Sequence, residues 1–170
     1  MNPISYWQRL KVAFQYVMPQ IYMTQAAGWL AKQKWGAVTH FVIKAFAKKY
    51  NIDMSIAEKE KFSDYASFNE FFIRPLKENA RPINQNPTAL CCPADGRVSE
   101  CGHIEDDRLL QAKGHFFSLN DLLAEDKDLT ETFKNGEFVT TYLSPRDYHR
   151  VHMPCDGTLR KMIYVPGDLF

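Results

Sequence analysis

The stretch Phe138-Val-Thr-Thr-Tyr-Leu143 runs directly into Ser144-Pro-Arg-Asp147 and then Tyr148-His-Arg-Val-His-Met-Pro154. Its first five residues are aromatic or β-branched, the composition of a strand. The serine that follows suits a helix N-cap, the proline suits the first helical position and an acid stands three on, so a single helical turn is predicted before His149. Outward from this stretch, similar short runs at 90–92, 97–101, 109–112 and 158–165 are broken by Asp-Gly, Asn-Gly, Pro and Gly signals. The expectation is a mostly antiparallel β-rich region over residues 82–170. One helix interrupts it, because Ser118-Leu-Asn-Asp121 has capping-box spacing and precedes Leu122-Leu123.

Upstream the period changes. Ile4, Trp7, Leu10, Phe14 and Val17 repeat at helical spacing until Pro19 interrupts them, a second segment spans about 21–32, and a third carries Val38, Phe41, Val42, Ala45 and Phe46 beyond Gly36. Three amphipathic helices are expected over residues 1–50. In the connecting segment, 51–81, Ser67-Phe-Asn-Glu70 opens a further helix: Ser67 accepts from a free amide and Glu70 reaches back to the Ser67 amide. Phe68, Phe71 and Phe72 form its apolar face, and Pro75 ends or bends it. The fold class is therefore α+β, with helices first and the sheet region after.

Charge separates the same pieces. Residues 1–50 hold seven basic groups and no acidic one, whereas residues 51–170 hold the other 14 basic groups and all 20 acidic ones. All three tryptophans, Trp7, Trp29 and Trp35, lie in the basic piece with Tyr6, Phe14, Tyr16, Tyr22, Phe41, Phe46 and Tyr50. Lysines are drawn to anionic headgroups and Trp and Tyr favour the headgroup level, so this piece reads as an arm that lies on a bilayer. A basic face packed on the acidic remainder is the plainer alternative. Nucleic acid is not expected as a partner, because the lysines are scattered along apolar helices instead of forming a dense stripe.

A spanning helix is not expected. The longest uncharged stretch, 12–31, carries Gln15, Gln20, Thr24, Gln25 and a central Pro19. No compact apolar segment followed by a small-residue cleavage site marks a secretory signal. The four cysteines, Cys91, Cys92, Cys101 and Cys155, lack C-x-x-C spacing and read as reduced thiols. A zinc site is disfavoured, since adjacent Cys91 and Cys92 point to opposite sides of an extended strand.

Three residues stand out for chemistry. His149 and His152 have an ordinary pKa near neutrality and can give or take protons without large perturbation. On a regular strand an odd separation puts them on opposite faces, so the backbone must turn or bulge if both serve one site. Asp95, in Pro93-Ala-Asp-Gly96, sits at the tip of a tight turn, where most aspartates merely form the turn. Arg146 and Asp147 read mainly as turn stabilisers, and a His-x-x-His metal pair lacks a nearby third ligand. His103 and His115 read as surface or locally bonded. Arg74, Lys77 and Arg81 recur at near-helical spacing and suit either a phosphate or the acidic β region.

Several landmarks recur together: the 142–154 run, Phe71-Phe-Ile-Arg-Pro-Leu-Lys77, Arg81-Pro-Ile83, Pro93-Ala-Asp-Gly96, Gln111-Ala-Lys-Gly-His115 and Val165-Pro-Gly-Asp-Leu-Phe170. In order and spacing they resemble the prokaryotic phosphatidylserine decarboxylases over the whole chain. The resemblance implies a self-cleaving proenzyme in which a serine of a downstream Gly-Ser-Thr segment becomes a covalent pyruvoyl group. No Gly-Ser dipeptide occurs here, so the chain is expected to be the amino-terminal, β-chain portion, inactive alone, with its catalytic region incomplete. By the same resemblance Asp95 and His152 are the carboxylate and base of a charge relay that activates the serine, as in a serine-protease triad. His149 is the decarboxylation residue, supplying a proton after the electrons released with carbon dioxide enter the pyruvoyl system.

The partners so implied are phosphatidylserine, an anionic membrane surface and a pyruvoyl-bearing α chain, with a homodimer left open. The place implied is the cytoplasmic face of the cell membrane, bound peripherally. Two rival readings remain: a non-catalytic membrane-binding module, and a metal hydrolase using Asp95, His149 and His152.

Overall fold

In the computed structural model, residues 6–7, 14, 18–105, 108–111 and 115–165 are described. The first expected helix, 4–17, falls almost wholly outside them. Helix α1 spans Gln20–Ala31 and α2 spans Ala37–Tyr50. The two resist merging because Gly36 adopts a positive φ of 57° at the N-cap of α2. Asn51, in the left-handed region, ends α2, and Lys48 and Lys49 stand in its last turn, where cations suit the helix dipole.

Helix α1 departs from the amphipathic expectation. It carries no charged residue, its apolar and amide side chains are spread around it, and none is buried. Trp29 meets Trp35 edge to face at 6.2 Å across the α1–α2 joint. Helix α2 is the one that packs: Ile43 and Ala47 join Tyr65 and Phe71 in the main core, with Phe46, Ile52, Met54, Phe62 and Phe68 against them. This core crosses residue 50 and ties the arm to the connecting segment. No helix among the described residues is long and apolar enough to cross a membrane.

Helix α3, Phe68–Phe72, begins as Ser67 predicts: its Oγ accepts from the Glu70 amide at 3.1 Å. The return bond differs. Glu70 Oε2 accepts from the Ala66 amide instead of that of Ser67, while Oε1 takes Lys59 Nζ at 2.6 Å, and these bonds, led by that from Lys59, hold the Glu70 carboxyl below its ordinary range. Beyond α3 the chain doubles back on residues 56–58: the Lys77 amide donates to Ile56 O and the Glu58 amide to Pro75 O, around a bridge between Ala57 and Leu76.

The sheet region holds two antiparallel pairs. Strand β1, Arg97–His103, pairs with β4, Glu137–Tyr142, from Arg97 opposite Tyr142 to His103 opposite Glu137, with an irregularity between Val98 and Glu100. Strands β2, Arg108–Gln111, and β3, His115–Ser118, form a hairpin. Helices α4, Leu119–Leu122, and α5, Lys127–Phe133, lie between, α4 capped by Ser118 Oγ as expected and α5 by Asp126. A small second core joins Ile104 and Leu119 to Leu123 and Phe138.

Two expected strands are not strands. Residues 90–92 and 158–165 have strand composition, but a strand exists only where a neighbour takes its backbone hydrogen bonds, and no described segment pairs with 158–165. Leu159, Met162 and Tyr164 are consequently 80%, 88% and 87% exposed.

Candidate active site

Residues 144–147 form a single hydrogen-bonded turn that stops short of a helix, and 148–152 follow it without regular structure. The Asp147 amide donates to Ser144 O at 2.9 Å, and Asp147 Oδ2 accepts from both the amide and the hydroxyl of Ser144, at 2.6 and 2.7 Å. Partial burial pushes the Asp147 carboxyl up, but the two bonds from Ser144 outweigh it and its pKa lies below the ordinary aspartate value. The expected role of Asp147 in stabilising the turn is thus met through its side chain.

Three contacts fix this turn to the end of α3. Arg150 Nε donates to Ile73 O at 2.7 Å, Arg74 Nη2 donates to Arg146 O at 3.2 Å, and the His149 ring stacks on Phe72 at 4.1 Å and 22°. His149 Nε2 lies 3.0 Å from Ser144 O, an acceptor only, so Nε2 carries the hydrogen in that bond and Nδ1 is the atom left for acid–base work.

The His152 amide donates to Pro93 O and the Cys91 amide to Pro154 O, both at 2.8 Å. These two bonds have the spacing of an antiparallel pair around Cys92 and Met153, so 90–92 is used as a clip although it is not a strand. They set the backbone of His152 beside the Pro93-Ala-Asp95 turn. The His152 ring stacks on Tyr148 at 5.5 Å and 20°, with Nε2 2.9 Å from Tyr148 Oη.

Asp95 is held from the other side. Arg81 Nε and Nη2 both donate to its Oδ2, at 2.8 and 2.5 Å, and this bonding raises the pKa of the guanidinium. Gly96 is required next to it: a Cβ there would lie 2.5 Å from Tyr142 O and 2.8 Å from Thr141 Cγ2, so only glycine lets the turn pass over β4. Asp95 lines a cavity of about 230 Å³ with Arg74, Arg81, Arg146, Asp147 and Tyr148.

The structure therefore brings Asp95 and His152 onto adjoining segments, with the carboxylate bonded to Arg81 and the imidazole to Tyr148. His149 stands across Tyr148's segment, against Phe72, and neither imidazole lines the Asp95 cavity. Tyr148, 8% exposed, links the groups, since it lines the cavity and bonds His152. Sequence reasoning passed over it, although its place four residues before His152 inside the richest motif was a usable signal. Of the three basic residues left undecided, Arg74 and Arg81 reach the β region, while Lys77 turns to Glu60. His103 Nδ1 meets Glu137 Oε1 at 3.2 Å on the surface; the side chain of His115 lies outside the described set. Among the described residues no three His, Cys, Asp or Glu side chains converge as a metal-ligand set.

Family models match in two places: phosphatidylserine decarboxylase over residues 68–170, and a second, described as PSD, over residues 10–51. The chain is 89% identical over 170 residues to a phosphatidylserine decarboxylase proenzyme of Haemophilus influenzae, covering all of this chain and 59% of that protein. It is 79% identical over 167 residues to that of Pasteurella multocida, covering 98% of this chain and 57% of that one. The chain thus spans less than two thirds of the length of these relatives. Because the first model covers most of the chain, Asp95, His149 and His152 included, the chain belongs to the phosphatidylserine decarboxylase family.

Proposed function

We propose that the whole protein decarboxylates phosphatidylserine to phosphatidylethanolamine after a serine outside this chain cuts the proenzyme, and that Asp95, His152 and His149 supply its acid–base chemistry. The observation that carries this reading is the clip between 91–93 and 152–154, which sets the base-bearing segment against the carboxylate-bearing turn. His152 Nε2 lies 2.9 Å from the Tyr148 hydroxyl, and a serine hydroxyl arriving in that place could give the same ring nitrogen its proton. Arg81 holds Asp95 through Oδ2, fixing the place of a carboxylate that can orient and steady a charged imidazole.

Tyr148, which both lines the cavity beside Asp95 and bonds His152, is a donor that suits the acceptor oxygens of a small keto-acyl group. When present, a pyruvoyl group supplies an electron sink for the bond to carbon dioxide. His149, with Nε2 fixed on Ser144 O and its ring on Phe72, presents Nδ1 to hold or move the product's proton.

The described arm supports peripheral attachment to an anionic bilayer. Trp29, Trp35, Tyr22, Val38 and Phe41 are each more than half exposed, and among the described residues no ion pair joins a lysine of 32–49 to an acid. A pyruvoyl-bearing α chain is the partner this function needs.

The test separates the two histidines. In the full-length protein His149→Ala is expected to be cut into two chains yet to lose at least about a hundredfold in decarboxylation, as removal of a general acid does. Turnover at the native rate in that variant contradicts the assignment.

A further inference from the structure

Arg74 is 2% exposed, the largest of the fully buried side chains. Phe71 covers it, with the guanidinium carbon 5.6 Å from the ring centre. Nη2 donates to Arg146 O, but Nε and Nη1 are buried with no hydrogen-bond partner. Buried polar groups are almost always bonded, and an unmet donor on a cation is the costliest exception.

The charges around it do not fill the gap. Asp95 is bonded by Arg81, Asp147 lies 3.7 Å from Arg146 and is bonded by Ser144, and Asp53 is exposed at the cavity rim, where it takes the Ser55 amide. Two guanidiniums are therefore matched by two carboxylates, and the third, Arg74, stands on the cavity wall with no ion pair of its own among the described residues. Desolvation works against its charge, partly offset by Tyr65 and the more distant acids.

We propose that this cavity is a phosphate-type oxyanion site, in which Arg74, the wall guanidinium without an ion pair, takes oxygens of a phosphodiester or phosphate and Arg81 and Arg146 contribute at longer range. A guanidinium suits this ligand because its N–H groups lie in a plane and match two oxygens of a tetrahedral anion. The ligand has two sources, the phosphodiester of a phospholipid headgroup or free phosphate. The first rests on the decarboxylase reading; the site itself does not.

The experiment uses the full-length, processed protein. Binding of inorganic phosphate and of glycerophosphoserine is followed by thermal unfolding at matched ionic strength, with chloride as control, in wild type, Arg74→Gln and Arg74→Lys. At least one of the two anions is expected to raise the wild-type Tm. Its Kd should weaken about tenfold or more in Arg74→Gln and several-fold in Arg74→Lys. Competition between glycerophosphoserine and short-chain phosphatidylserine, with KM raised in Arg74→Lys and kcat little changed, assigns the site to the lipid headgroup. Phosphate binding that depends on Arg74 but does not compete assigns it to the free ion. No stabilisation of wild type by either anion overturns the proposal even where Arg74→Gln does not fold. Equal stabilisation of wild type and Arg74→Lys overturns it as well. Normal processing and turnover alongside either negative result would leave the decarboxylase reading standing.

Discussion

At Asp147 one carboxylate oxygen closes the turn that carries both candidate imidazoles, through the amide and hydroxyl of Ser144. Its pKa is depressed in the folded protein, burial opposing and the Ser144 bonds prevailing. The stabilisation is therefore complete above the ordinary aspartate range and is lost as pH falls through the depressed folded value. Asp147→Asn is expected to cost about 1–2 kcal/mol near neutrality, as loss of charge-assisted hydrogen bonds does. Denaturant unfolding followed from neutral to acidic pH checks both points: the difference between wild type and variant should shrink on acidification. A difference that stays constant or grows contradicts this role.

Among the elements, the β1–β4 pair and the clip at 91–93 and 152–154 decide where the site lies. Gly96 is the narrow point, with no room for a Cβ against Tyr142 O. Gly96→Ala is expected to destabilise the full-length protein by about 1–3 kcal/mol through forced backbone shift, and to slow its processing by moving Asp95. Thermal unfolding and a cleavage time course measure the two effects; a neutral Gly96→Ala contradicts the close approach.

This is also the scale at which the sequence was most and least legible. Helix α2, β1, β4 and the Ser67 and Ser118 caps were readable because period and capping chemistry are local. Strand β3 was missed, and 158–165 was read as a strand it does not form here, because pairing depends on a neighbour the local pattern cannot name. The Arg81–Asp95 and Tyr148–His152 contacts were hidden for different reasons. The first spans 14 residues with no regular element to carry it, and the second needed the turn at Ser144, read as helical, to be resolved.

For the molecule as a whole, the arm and the site share one scaffold. Ile43 and Ala47 of α2 pack with Phe71 of α3, and Phe72 at the end of α3, with Ile73 and Arg74 just beyond it, holds the His149 turn. A helix that rests on lipid would thus hold the candidate site at a fixed offset from the bilayer. The full-length protein is expected to bind vesicles containing anionic lipid, more weakly as salt rises. Replacing Lys44, Lys48 and Lys49 together by Ala should weaken that binding by up to about two orders of magnitude, at about 1 kcal/mol for each lysine near the surface. Co-sedimentation with neutral and anionic vesicles reads this directly, and salt-independent binding contradicts it.

The clip joins the turn at Asp95 to the segment at His152, and we propose that it lets acid and base act as a pair on an incoming serine. The most direct measurement is the chain pattern of full-length protein carrying Asp95→Asn or His152→Ala, resolved on a denaturing gel beside wild type. Both variants are expected to stay as one uncut chain, or to be cut at least about a hundredfold more slowly, while wild type yields two. Normal cutting of His152→Ala would contradict it.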